Sequence, residues 1–176
     1  MGRYKIYYNI NGGNLKYNLT YGELTRDGLL NLFKDVDTNN KTFYDLGSGD
    51  GNVLIYASEE FPNLKKIVGI EINKNRHIKA EKIIKEKNKS DKIKVFNDDI
   101  LSKKYNYKDA DLIYISNLCF SPEVNQAISE KLRSELKKGT IVFSSKKLDF
   151  NLSEASNTNV KQTWHNSSSI FINKIK

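Results

Sequence analysis

A single cysteine, Cys119, stands in 176 residues, so no intrachain disulfide framework and no cysteine-clustered metal centre can be built. The two histidines, His77 and His165, are too few for an imidazole-rich metal site, and no metal is expected. No apolar run approaches the roughly 20 residues of a membrane helix. Residues 1–20 alternate polar and aromatic groups without the apolar core of a signal peptide, which leads to the expectation of an intracellular protein, cytoplasmic or nuclear. There is no internal repeat and no low-complexity linker, so one domain with its own core is expected. In that setting Cys119 reads as a buried thiol rather than a nucleophile.

What the chain has in excess is positive charge. Lys and Arg number 29 against 21 Asp and Glu, a net charge of +8, which points to an acidic partner such as nucleic acid or chromatin. Asn, Lys and Ile are abundant throughout, as AT-rich coding alone would make them. Charge therefore leaves a polyanion partner open.

Residues 3–10 and 14–20 are β-prone runs around Asn11-Gly12-Gly13, a hairpin signal. A helix over 24–34 follows, with Leu24, Leu29, Leu30, Leu32 and Phe33 as its apolar face. These elements and a polar stretch to Lys41 make an amino-terminal arm, 1–41. From Thr42 the pattern becomes strand–helix alternation, the signature of a parallel sheet covered on both faces. Strands are expected at 42–46, 66–71, 92–97, 110–116 and 141–145. Helices are expected at 52–60, at 73–87 with Ile78, Ile83 and Ile84 inward, and at 122–137 behind the Ser121-Pro122 cap. Two last strands, 160–164 and 168–174, close the 42–176 core as an antiparallel hairpin. The stretch 146–159 carries the weakest order signal, and His77 reads as a surface group.

The chemistry lies in Asp45-Leu46-Gly47-Ser48-Gly49-Asp50-Gly51. A glycine-rich turn after the first parallel strand lets backbone approach a ligand. A hydride-transferring dinucleotide enzyme would want glycine where Asn52 stands. The carboxylate of Asp45, two residues before the first glycine, would repel a pyrophosphate and suits a ligand bearing an ammonium and a sulfonium. That ligand is S-adenosylmethionine. Glu71, twenty residues beyond Gly51 at the end of the second strand, is placed to accept from both ribose hydroxyls. At the end of the third strand Asp99, rather than Asp98, is the candidate for the adenine amine, with Ile100 against the ring. The expected fold is thus α/β, a class I S-adenosylmethionine-dependent methyltransferase with a Rossmann-like, mostly parallel seven-stranded sheet behind a small hairpin-and-helix arm.

Four segments, in order, resemble the non-SET histone-lysine methyltransferases called disruptor of telomeric silencing. They are Tyr21-Gly22-Glu23-Leu24, Phe43 to Asn52, Ile115 to Val124 with its Phe120-Ser121-Pro122-Glu123, and Ile141 to Lys146. The resemblance covers about residues 21–175, in a minimal form of the family, and implies a chromatin regulator that methylates a histone or another basic, nucleic-acid-associated protein. Carried over position by position, it implies that Tyr21 and Glu23 enclose the methionine moiety. It also implies that Asp45, Gly47, Ser48, Gly49, Gly51, Asn52, Glu71, Asp99, Ile100 and Asn117 line the cofactor. Ser116 and Asn117 stand where the family has paired asparagines beside the methyl group. Tyr21, Ser116 and Asn117 are the catalytic candidates. Phe120, Trp164 and Phe171 fall on the aromatic lysine channel, Phe171 replacing the family's tyrosine.

A physical argument stands beside the resemblance. A lysine amine must be neutral to attack, while its free pKa is about 10.4. An apolar aromatic sleeve disfavours the ammonium, and Asn117 is expected to orient the amine through its amide oxygen. The end of the fourth strand, Ser116-Asn117-Leu118-Cys119, lacks the Pro-Pro-aromatic loop of enzymes that methylate planar amino groups. Lysine methylation of a non-histone protein and RNA methylation remain alternatives, as does a catalytically silent cofactor-binding module.

Overall fold

A computed structural model describes residues 5–10, 13–18, 22–150 and 153–176. Its elements in chain order are β1 (Lys5–Ile10), β2 (Gly13–Asn18), α1 (Arg26–Phe33), β3 (Thr42–Leu46), α2 (Asn52–Glu60), β4 (Lys66–Glu71), α3 (Lys74–Glu86), β5 (Ile93–Asn97), β6 (Leu112–Ile115), α4 (Pro122–Glu135), β7 (Ile141–Ser144), β8 (Ser153–Gln162) and β9 (His165–Ile175). β1 and β2 pair antiparallel as a separate hairpin. The remaining seven strands form one sheet in the order β5-β4-β3-β6-β7-β9-β8. The first five run parallel, and β9 returns antiparallel between β7 and β8.

Side chains that alternate along the parallel strands build two cores, as expected of a sheet covered on both faces. On one face Phe43, Ile67, Leu112, Tyr114 and Phe143 pack with Leu29, Leu32 and Phe33 of α1 and Val53, Leu54 and Ile55 of α2. On the other, Tyr44, Leu46, Val68, Ile70, Ile113 and Ile115 pack with Val124, Ile128 and Leu132 of α4. The helix of the arm thus shares the core of the sheet. Three caps fix the helix entries: Thr25 accepts from the Gly28 amide, Asn73 from Asn75 and Arg76, and Ser121 from Val124 ahead of Pro122.

The inward faces depart from the expectation in four places. Leu30 is exposed on α1 and Ile78 on α3, while His77 is buried with Nε2 3.4 Å from Glu81. Ala80 and Ile84 set the phase of α3, and that phase carries position 77 inward and 78 outward. Cys119 is half-buried rather than enclosed. The closing hairpin is longer than expected, since β8 begins at Ser153 inside the stretch with the weakest order signal. Among the described residues, no helix is long and apolar enough to cross a membrane.

Candidate active site

At the carboxyl end of β3 the chain turns through three glycines with left-handed φ, Gly47 at 91°, Gly49 at 54° and Gly51 at 85°, a conformation that side-chain-bearing residues rarely adopt. The amides of Gly47 and Ser48 both donate to the carbonyl of Ile70 on β4, at 2.8 and 3.1 Å. A Cβ at Gly47 would meet nothing within 4 Å, so this turn faces open space. A Cβ at Gly51 would lie 2.9 Å from that of Ala80, so Gly51 lets α3 pack closely on the start of α2. Ser48 sits in this turn with its hydroxyl buried against Gly69 and unbonded among the described residues.

Glu71, 4% exposed, locks this turn from β4. One carboxylate oxygen accepts from the Gly49 amide at 2.8 Å and the other from the Asn73 amide at 2.7 Å. Asp45 is deeper still, 2% exposed, with no hydrogen bond or ion pair to its carboxylate among the described residues. Burial first, then the charges of Glu23 and Glu71, hold its pKa well above the usual carboxylate range. Asp45, Glu23 and Glu71 therefore converge on the turn, and neither Asp45 nor Glu71 is ion-paired to a Lys or Arg among the described residues. They are not grouped tightly enough to hold a metal ion. A carboxylate so placed is neutralised by a proton or by a cation that a ligand brings in its stead.

Glu23 reaches the site from the segment before α1. Asn52 Nδ2 donates to Glu23 Oε2 at 2.8 Å. The Glu23 main chain is tied to the β8–β9 turn: its amide donates to Thr163 Oγ1 at 3.0 Å, and its carbonyl accepts from the Thr163 amide at 2.9 Å. Next to it the Trp164 ring lies on the backbone of Gly22, so closely that a Cβ there would fall 2.0 Å from two ring carbons. Tyr21 lies outside the described residues.

At the end of β5 the two acids separate by role. Asp98 accepts from Lys104 Nζ at 2.9 Å, and that ammonium holds its pKa below the usual value. Asp99, half-buried, accepts from the Leu101 amide at 2.9 Å, and Ile100 is buried beside it.

Asn117, fully buried at the end of β6, departs most from expectation. Its amide oxygen accepts from the Lys146 amide at 2.8 Å, and its Nδ2 donates to Asn125 Oδ1 at 2.6 Å and to the Lys146 carbonyl at 3.2 Å. The oxygen expected to face an acceptor amine is instead engaged in joining β6 to the loop after β7 and to α4. Ser116 is half-buried beside it. Phe120 is partly buried against the α4-side core. Strand alternation puts Phe171, paired with Ser144, on that same side, because Ile172 faces the α1 side. Trp164 belongs instead to the Gly22 segment, and no ring contact among the described residues joins the three aromatics. Phe120 and Phe171 therefore lie on the α4 side of the sheet, and Trp164 covers the Gly22 segment.

Two buried polar residues carry no signal in the sequence. Tyr114, opposite Asp45 in register, is 2% exposed, and its hydroxyl lies in the field of Asp45 and Glu23 near Ser116 and Ser145. Burial and these carboxylates push its pKa far up. Gln162, bridged to Leu24, is buried with neither amide atom bonded among the described residues. Each looks like ordinary strand sequence, and only the register reveals its place.

Residues 14–173 match the sequence profile of a family described as histone methylation protein DOT1. A protein-lysine N-methyltransferase of Saccharolobus islandicus is 34% identical over 57% of this chain and 59% of its own length. An H3 lysine-79 specific histone-lysine N-methyltransferase of Kluyveromyces lactis is 35% identical over 74% of this chain and 25% of its own. The chain thus spans less than two thirds of either relative. Among solved structures, an RNA methyltransferase of Salinibacter ruber in complex with S-adenosyl-L-homocysteine superposes with a TM-score of 0.65 at 24% identity, covering 86% of this chain and 90% of that one. The Bacillus subtilis tRNA methyltransferase TrmK gives 0.64 at 15% identity, covering 88% and 68%. At these identities the likeness establishes the fold, which is that of the class I S-adenosylmethionine-dependent methyltransferases.

Proposed function

Because the chain belongs to the histone methylation protein DOT1 family, we propose that it is an S-adenosylmethionine-dependent protein-lysine N-methyltransferase acting on a histone or another basic, nucleic-acid-associated protein. The observation that carries this reading is the buried Asp45 carboxylate, uncompensated beside Glu23 and Glu71 and opening onto a side-chain-free turn. When bound, the cofactor supplies a methyl group on a positively charged sulfur.

The residues divide the work of holding it. Asp45 receives the ammonium, and Gly47, Gly49 and Gly51 give the backbone approach. Glu71 keeps lone pairs for the ribose hydroxyls beyond its two amide bonds. Asp99 and Ile100 take the adenine. Residues 1–41 act as an arm, with Tyr21 and Glu23 closing the methionine end and Asn52 holding Glu23 in place. Ser116 borders the transfer path. Asn117 is a positioning residue that fixes the two loops flanking it. Phe120 and Phe171 make one wall of an apolar sleeve that favours the neutral amine, and Trp164 edges the cleft from the Gly22 side. Alignment of amine, methyl and sulfur is what such a site adds to the rate.

A non-histone protein acceptor is the second reading, favoured by the Saccharolobus islandicus relative. Radiolabelled methyl transfer to nucleosomes, free histones and a whole-cell lysate separates the two. Label on histone lysine supports the first, label on lysine of other proteins the second, and no labelled lysine anywhere overturns both.

A further inference from the structure

The positive charge of the chain is not spread along it. Residues 74–94 hold nine Lys or Arg against three Asp or Glu, a net +6, while the other 155 residues together carry +2. A coding bias toward lysine would distribute it evenly, so composition does not account for this clustering. The fold gathers the segment onto one side of the molecule: α3, the turn after it, and β5, the outermost strand on that edge of the sheet.

Along the outer face of α3 stand Lys74, Lys79, Lys82 and Lys85, all exposed. Steps of three to five residues give axial rises of about 5–8 Å. Among the described residues Lys74, Lys85, Lys89, Lys92 and Lys94 have no carboxylate within ion-pair reach. Lys79, Lys82 and Lys87 meet Asp50, Glu86 and Glu59 at 3.4 to 3.8 Å. Between α3 and β5 runs an open groove of about 560 Å³, floored by Ile84 and Ile93 and rimmed by Lys82, Lys85 and Lys94, with Glu81 the one acid in its lining. Burial and the neighbouring Lys89 ammonium both hold Lys92 below the usual lysine pKa. Such crowding of like charge is relieved by an anion. Lysine on an edge strand also blocks edge-to-edge pairing, but that accounts for Lys94 on β5 and not for the four on α3.

We infer that the α3–β5 face is a sequence-independent docking surface for the phosphate backbone of a nucleic-acid duplex. A duplex fits better than a single strand because the groove lining has no aromatic side chain and the one ring on β5, Phe96, packs against Tyr105, whereas single-strand sites stack successive bases on aromatic platforms. Lysines touching phosphates neutralise charge without reading sequence. The Lys79–Asp50 pair joins this face to the glycine turn, so a docked duplex borders the cleft and presents proteins bound to it. This surface is independent of the methyl-transfer reading.

Fluorescence anisotropy with labelled mixed-sequence duplex DNA, duplex RNA and single-stranded DNA of about 20 nucleotides tests it across a salt series. The variant combines Lys74→Gln, Lys85→Gln, Lys89→Gln and Lys94→Gln. A control removes the same charge elsewhere, through Lys103→Gln, Lys108→Gln, Lys138→Gln and Lys147→Gln. The expected result is duplex binding that weakens steeply with salt, and a slope of log affinity against log salt shallower by about 3 to 4 in the α3–β5 variant. That variant should lose at least about tenfold in affinity at low salt, the control markedly less, with circular dichroism and S-adenosylhomocysteine binding unchanged in both. Equal losses in the two variants, tighter binding of the single strand, or no duplex binding by the unmodified chain would each overturn the inference.

Discussion

The Glu71 carboxylate holds the Gly49 amide at 2.8 Å and so shapes the turn that faces the cleft. Glu71→Gln keeps the bulk but sets an amide group against one of the two backbone donors. The expected cost is about 1–3 kcal/mol of stability, since a buried donor loses its acceptor. Affinity for S-adenosylhomocysteine should fall at least about tenfold, equivalent to about 1.4 kcal/mol. Thermal unfolding and calorimetry measure the two effects, and unchanged affinity would remove Glu71 from the ribose.

The glycines of the turn separate folding from binding. A methyl at Gly47 projects into open space at a φ of 91°, so Gly47→Ala should cost backbone strain alone, about 1–3 kcal/mol, while occupying the ligand's place and lowering its affinity. A methyl at Gly51 meets Ala80 at 2.9 Å, so Gly51→Ala should mainly lower the unfolding temperature. Gly49→Arg should abolish binding outright. Equal effects at 47 and 51 on both readouts would refute the assignment of the open side.

Asp45 makes stability and binding depend on pH. Its folded pKa is raised, so the folded state holds a proton that the unfolded chain, titrating near 3.9, has already lost. The unliganded protein is therefore penalised as pH climbs from that value through the folded pKa. Asp45→Asn should raise the neutral-pH unfolding temperature, with the gain vanishing below about pH 4, and should weaken cofactor binding. In the unmodified protein, an incoming ammonium should expel the proton. Binding heats measured in buffers of different ionisation enthalpy would then differ, and identical heats would argue against the pairing.

Asn117→Ala removes three hydrogen bonds from a fully buried position. It should lower stability by a few kcal/mol at most and reduce turnover, while leaving S-adenosylhomocysteine affinity within about threefold. Parallel loss of affinity and turnover would mean that Asn117 touches the cofactor rather than positioning loops.

Gly22 and Trp164 are expected to be energetically coupled. Gly22→Ala forces a methyl into the indole ring and should displace it, reducing stability and cofactor retention. In a Trp164→Ala background the same change should cost far less. A double-mutant cycle on unfolding temperature gives the coupling, and additive effects would count against the contact.

Much of this architecture can be read from local signals. β3, β4 and α2 match their expected bounds because Gly47, Pro62 and the β-branched run at 67–70 punctuate the chain strongly. The glycine turn, Asp45 and Glu71 are legible for the same reason: their spacing is short and chemically specific. β8 is hidden because its exposed positions from 155 on are Ala155, Ser156, Asn157, Asn159 and Lys161 and only Val160 and Gln162 are buried among them. The phase of α3 is hidden because apolarity at Ile78 misleads where the small Ala80 sets the buried stripe. Asn117 is conspicuous in the sequence, yet its partners lie 8 and 29 residues away, so its bonding could not be read locally.

The stitching of Glu23 to Thr163 and the stacking of Trp164 on Gly22 have a consequence for biosynthesis. The wall that closes the acidic pocket is assembled from segments some 140 positions apart, and it exists only once residues 153–175 have left the ribosome and paired with β7. A shorter nascent chain already displays the glycine turn and its carboxylates but lacks the clamp, so cofactor retention should begin as a late, all-or-none step of maturation.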